Sequence, residues 1–220
     1  MFYRFLFVLF ISFNVWAQDS YIDYASPYHP TINQRGMVVS QNIDSSKIGI
    51  EILDMGGNAI DAAVAVGFSL AVTLPRAGNL GGAGFMLVYL KERDEIVAVD
   101  YLGSSPRNSN IQDLFGVKLP RNYEKADRDI VRYGYKASTV PGTVAGLLEA
   151  HANFGRLPLS SVLKPVIEQA RNGIKVSYDL YMALKSSSQL KKNKESRKIF
   201  FNNGSAVAEN TILKREDLAQ

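Results

Sequence analysis

In residues 56–89, GGNAIDAAVAVGFSLAVTLPRAGNLGGAGFMLVY, a helix with almost no polar face runs into a proline and then into a cluster of glycines. Asn58 is a good N-cap, and Asp61 can reach back to it as a shortened capping box while complementing the helix dipole. Ala59, Ala62, Ala63, Val64, Ala65 and Val66 leave little polar surface and let neighbouring backbone come close, which places this helix in the middle of a layered core. Pro75 cannot continue a helix and ends it near Thr73. A membrane span needs roughly 20 apolar residues. This run is shorter, carries Asp61 and is followed by turn and strand chemistry, so a buried helix is expected.

The turn itself reads Gly78-Asn79-Leu80-Gly81-Gly82-Ala83-Gly84. No Lys-Ser or Lys-Thr follows it, and a strand comes after the glycines, whereas a phosphate-binding loop follows a strand and opens a helix. Nucleotide binding is therefore not expected. Two readings remain on local grounds. The glycines let backbone approach something bulky, a substrate or another layer, or they form a tight loop that needs positive φ. The second is the simpler.

The chain has 220 residues, the length of one domain or of part of a larger one. Hydrophobic residues make up 46%, enough to build a sizeable core. Its 25 basic and 21 acidic residues leave a net charge of +4, too small and scattered for nucleic acid, which requires a concentrated basic face. Without cysteine, disulfides, zinc–thiolate sites and cysteine nucleophiles are excluded. His29 and His151 stand alone, without carboxylate spacing that suggests a metal, and read as surface or capping histidines.

Residues 1–17 read as a signal peptide. Arg4 gives a positive start, Phe5 to Phe13 form the apolar run, and Val15-Trp16-Ala17 supplies a cleavage site that would leave Gln18 first. The run is short for a retained span, so export without a stable membrane anchor is expected. Residues 18–35 form an extended lead-in, and residues 36–220 one partial domain. Within it the pattern predicts a short β-type run at Met37–Ser40, a helix from Ser45 to Asp54 closed by Gly56-Gly57, and the buried helix. An antiparallel hairpin of Phe85–Leu90 and Ile96–Tyr101 follows. Pro106 to Ser138 is expected to be loop with short helical pieces. Helices are predicted at Val144–Phe154, Ser161–Asn172 and Ser177–Leu190, with Gly155 and Gly173 as stops. The five basic residues in Lys191–Lys198 read as a solvated helix face, because no aromatic residues are interleaved with them.

Together these blocks resemble the γ-glutamyltransferase (glutathione hydrolase) family. The resemblance rests on Gly36-Met37-Val38, GIEILDMGGNAIDAAVAVGFSLAVTLP, GNLGGAGFMLVYL, VPGTVAGLLEAHANFGRLPLSSVLKPVIEQARNGIKVS and LKREDLAQ, and spans most of residues 36–220 apart from the variable 108–132. It implies an α+β fold, the four-layer αββα sandwich of N-terminal-nucleophile hydrolases. It also implies an exported, periplasmic or secreted proenzyme that cuts itself into large and small subunits. The threonine freed at the start of the small subunit attacks a γ-glutamyl amide and forms an acyl-enzyme. Water or an acceptor amine then takes the acyl group. The threonine's own α-amino group serves as general base. No metal or organic cofactor is implied.

On this resemblance the chain is the front of a large subunit, incomplete as a sandwich, with no catalytic residue of its own. The nucleophile is expected beyond Gln220. The threonines Thr139, Thr143 and Thr211 are candidates only in name, and Thr143 opens a helix, where capping accounts for it. The implied partners are the small subunit from the same proenzyme and a γ-glutamyl peptide substrate.

One departure bears on specificity. After the second strand the family reads Asp, aromatic, Arg, Glu, two residues and Pro, and that arginine clamps the substrate's α-carboxylate. Here the run is Asp100-Tyr101-Leu102-Gly103-Ser104-Ser105-Pro106, so Leu102 stands at the arginine position. A guanidinium fork gives a carboxylate two charge-assisted hydrogen bonds, and leucine gives none. Arg107 lies five residues on, roughly 16 Å along an extended chain. Arg76, before the glycine turn, is the candidate substitute. The alternatives are a same-fold amide hydrolase with non-glutamyl acyl specificity, or a non-catalytic binding protein on the same scaffold.

Overall fold

A computed structural model describes residues 32–107, 133 and 138–220. The expected signal peptide, His29 and most of the lead-in lie outside these residues, as does most of the expected loop at 106–138. The chain divides into units 1–36 and 37–220. In the first, Asn33 closes a turn by accepting from the N–H groups of Arg35 and Gly36. All that follows concerns the second.

Helix α1 (Ile43–Asp54) starts two residues earlier than its pattern predicts, because Asn42 accepts from the N–H groups of Asp44 and Ser45. Gly56, at φ +89°, closes it in the left-handed region that glycine enters freely. Helix α2 (Ala59–Thr73) carries the full capping box: Asn58 accepts from Ile60 and Asp61, and Asp61 accepts from Asn58 N–H. Nine of its 15 residues are buried, as expected of a helix packed on several sides.

Strands β1 (Gly84–Leu90) and β2 (Glu95–Tyr101) form the antiparallel hairpin, with Phe85 opposite Asp100 and Tyr89 opposite Ile96. Then come α3 (Thr143–Phe154), α4 (Leu159–Asn172), β3 (Ile174–Lys175), α5 (Tyr178–Ser186), α6 (Ser188–Lys192) and α7 (Lys194–Phe200). The short strands β4 (Phe201–Asn202), β5 (Ser205–Ala206) and β6 (Ile212–Leu213) and a last turn, α8 (Glu216–Ala219), complete the described chain. β3 pairs with β6 and β4 with β5, both antiparallel.

The core runs along α2 from Ile48 and Ile52 on α1 through Val64, Ala65 and Val72 to Val162, Val166 and Ala170 on α4. A line of buried hydroxyls crosses it. Ser69 Oγ lies 2.7 Å from both Ser45 Oγ and Gln169 Oε1. Thr73 Oγ1 lies 2.8 Å from Ser45 Oγ and donates to the Ser69 carbonyl at 3.2 Å. Three helices are thereby keyed together with every buried side-chain polar atom satisfied among the described residues.

Three sequence expectations change. Met37–Ser40 forms no strand, because among the described residues nothing pairs with it; Val38 instead packs over Gly49 and against the core. The predicted helix Ser177–Leu190 is two helices, since Ser187 ends α5 and its side chain caps α6. The glycines of the 78–84 turn do not adopt positive φ. They are there for close approach: Gly78 lies under Leu70, and Gly84 under the ring of Tyr101.

Candidate active-site scaffold

Three segments that lie far apart in sequence meet at one end of the hairpin. They are the glycine turn 78–84, the end of β2 with residues 102–104, and residues 139–143. The Gly82 carbonyl accepts from Gly142 N–H at 3.0 Å and Thr143 N–H at 3.2 Å. Ser104 and Val140 exchange both main-chain bonds, at 2.8 and 3.3 Å. The side chain of Tyr101 is seated on Gly146 and its main-chain carbonyl on Gly142, with no room for a Cβ at either. Burial pushes the Tyr101 phenol above its ordinary value of 10.0.

This arrangement corrects the reading of Thr143. It is the first helical residue rather than the cap; Gly142 holds the cap position and makes no side-chain bond. The Gly82 carbonyl takes the first N–H groups of α3, so the start of that helix is bound to the glycine turn. Thr139 is exposed, with its hydroxyl over Gly103, where a Cβ would meet it at 2.7 Å. The Thr211 hydroxyl donates to the Ala208 carbonyl at 2.6 Å, within its own turn.

Leu102 is 58% exposed, and its N–H donates to Asp100 Oδ1 at 3.0 Å. It continues the alternation of β2 onto the same face as Ile96, Ala98 and Asp100. That face, with Phe85, Leu87 and Tyr89 opposite, is bare: these three are 60–76% exposed. The other face buries Val88 and Val99, and β2 packs on α3. A hairpin with one face against helices and the other apolar and open is a sheet layer prepared for a second layer.

Arg76 points elsewhere. Its Nε and Nη2 each donate to Asp179 of α5 at 2.8 Å, a bidentate pair about half exposed on both sides. The Asp179 hydrogen bond, reinforced by its charge, raises the Arg76 pKa further. The structure brings Leu102 to the three-segment junction; among the described residues the partner of Arg76 is Asp179 on α5.

A second cluster escaped the sequence reading. Asp61, fully buried, accepts from the N–H groups of Asn58, Arg156 and Leu157 at 2.9–3.3 Å. His151 is not a surface or capping histidine; its side chain is 12% exposed, with Nε2 3.5 Å from Asp61 Oδ1 and 3.0 Å from the Leu157 carbonyl. Asp61 so ties the start of α2 to the α3–α4 connection. The signal was the capping box itself, a carboxylate on an otherwise apolar helix. The seat for Tyr101 also had a signal, the i, i+4 glycines Gly142 and Gly146.

The gamma-glutamyltranspeptidase family model matches residues 45–220. The glutathione hydrolase proenzyme of Escherichia coli K12 is 37% identical over 195 residues, 88% of this chain and 33% of that protein. The one from Pseudomonas aeruginosa is 41% identical over 142 residues, 64% of this chain and 24% of that protein. Among solved structures, Helicobacter pylori gamma-glutamyltranspeptidase superposes with a TM-score of 0.78 at 35% identity, over 86% of this chain and 54% of that one. The chain thus spans about a third or less of the length of these two curated relatives.

Proposed function

Since the chain belongs to the gamma-glutamyltranspeptidase family, whose members are enzymes of the N-terminal-nucleophile hydrolase fold, we propose that it forms the large-subunit scaffold of an exported amidase and acyltransferase. The observation that carries this reading is the bare apolar face of β1 and β2 beside the junction of the glycine turn and Leu102. The small subunit of the same proenzyme covers that face and supplies the threonine, from residues following those described. Its hydroxyl attacks the amide carbonyl of a γ-glutamyl peptide while its α-amino group takes the proton. The amine leaves with that proton, and water or an acceptor amine resolves the ester. Export proceeds through removal of residues 1–17, which leaves Gln18 at the mature amino terminus in the periplasm or medium. Release of anilide from a γ-glutamyl anilide by the full-length protein, abolished when the small-subunit threonine is replaced by alanine, is the direct test. No turnover in the unaltered protein would leave a binding protein on this scaffold.

A second reading concerns the acyl group. With leucine at position 102, and with Gly103 pressed under Thr139, neither position offers a cation to a substrate α-carboxylate. Arg76 is held by Asp179. The second reading is an acyl group without that carboxylate. Glutathione and neutral acyl amides assayed side by side separate the two. Preference for the neutral amides, with γ-glutamyl turnover gained in Leu102→Arg, supports the second. Glutathione turnover that is lost in Arg76→Ala supports a relocated clamp.

A further inference from the structure

Although the net charge reads as scattered over the whole sequence, one segment carries a dense run of cations. Between positions 185 and 198 stand Lys185, Lys191, Lys192, Lys194, Arg197 and Lys198 against the single acid Glu195, an excess of five where the whole chain carries +4. All six cations are exposed. Glu195 is taken by Lys198 at 2.9 Å, and among the described residues no carboxylate lies within ion-pair distance of the other five. They stand on α5, α6 and α7, consecutive along the chain, and Lys185 and Lys191 share one cleft of their surface.

That surface is not purely polar. On α5, Tyr178, Met182 and Lys185 follow at i, i+4 and i+7, one helical stripe, with Tyr178 62% and Met182 40% exposed. Leu180 and Leu184 bury the opposite side of the same helix. Leu190 of α6 is 36% exposed between Lys185 and Lys191. A cleft of about 390 Å³ opens within the patch, lined by Tyr181, Lys185, Ser186, Ser187, Ser188 and Lys191. The Lys185 ammonium lies 5.7 Å above the Tyr181 ring.

We propose that this face docks the protein on an anionic phospholipid bilayer. Clustered Lys and Arg are drawn to the negative potential of such a surface, and exposed Tyr, Met and Leu side chains beside them enter its headgroup boundary. The cleft has the size and donors to take one headgroup phosphate between Lys185, Lys191 and the serine hydroxyls. The apolar stripe favours a lipid partner over nucleic acid; of the two aromatic residues lining the cleft, Lys185 lies over the Tyr181 ring and Phe201 is buried, so neither presents an open platform to bases. The docking is reversible and needs no spanning helix.

The test uses the full-length protein with large unilamellar vesicles of phosphatidylcholine alone or mixed equally with phosphatidylglycerol, read by co-sedimentation. The expected result is binding to the mixed vesicles only, weakening as salt is raised towards physiological strength. The triple variant Lys191→Glu, Lys192→Glu, Lys194→Glu is expected to bind at least about tenfold more weakly, since each charge near such a surface contributes measurably. The corresponding Lys→Gln variant should fall between, and circular dichroism should be unchanged in both. Equal binding to both vesicle types, no binding to either, or unaltered binding by the folded Glu variant would overturn the proposal. Retention of the protein on duplex DNA without vesicle binding would overturn it in favour of a polyanion partner.

Discussion

The ring of Tyr101 rests on the bare backbone of Gly146, one turn into α3. This contact holds the end of β2, and Leu102 after it, against the helix that the glycine turn also grips.

Gly146→Ala places a methyl into that ring, close to its Cβ and Cγ, where rotation of the ring cannot relieve the overlap. Overpacking of this kind costs about 1–3 kcal/mol. Denaturant unfolding of the full-length protein should show that loss. Combined with Tyr101→Ala, the second substitution should cost much less than it does alone, because the two share one contact.

Asp61→Asn replaces an acceptor-only group with one that carries two N–H donors, facing the N–H groups of Asn58, Arg156 and Leu157. Hydrogen bonds to a charged group contribute about 1.5–3 kcal/mol each, so a loss of several kcal/mol is expected. His151→Ala leaves the three main-chain bonds in place and should cost about 1 kcal/mol. Thermal unfolding of the two variants side by side checks the order.

Tyr101 gives a dependence on alkaline pH. Its folded pKa is raised by burial, so the unfolded chain ionises first. The contribution is whole below the ordinary value of 10.0 and is lost as pH rises through the higher folded value. Tyr101→Phe removes the ionisation, and its stability should decline less steeply above pH 10 than that of the unaltered protein, as followed by urea midpoints.

Residues 18–220 purified alone should not turn over a γ-glutamyl anilide, and should self-associate through the open face of β1 and β2. An unpaired apolar sheet layer is an aggregation site. Leu87→Lys, at a position 76% exposed, should make this fragment more soluble by light scattering while impairing maturation of the full-length protein.

The local devices were legible in the sequence. The start and stop of α2, the hairpin and the glycine stop after α4 depend on residues a few positions apart, and the structure has them. What escaped depends on distant partners. Met37–Ser40 has strand composition but no neighbouring strand among the described residues, and composition alone cannot supply one. His151 read as a surface residue because Asp61, which draws it inward, lies 90 positions earlier. Ser187 interrupts a continuous helical pattern because its side chain bonds forward to Leu190 N–H, a local choice that periodicity does not distinguish from a helix interior. The turn glycines carried the right signal with two meanings, and only the position of Leu70 and Tyr101 decides between positive φ and close approach.

The bonds from Arg156 and Leu157 to Asp61 span 95 and 96 positions. During synthesis the carboxylate therefore emerges from the ribosome long before the amides that will receive it. Until residue 157 is clear of the exit tunnel, α2 can coil but cannot sink into a dry interior at that end without stranding a charge. Closure of the core at that end thus requires α3 and the loop behind it to be in place.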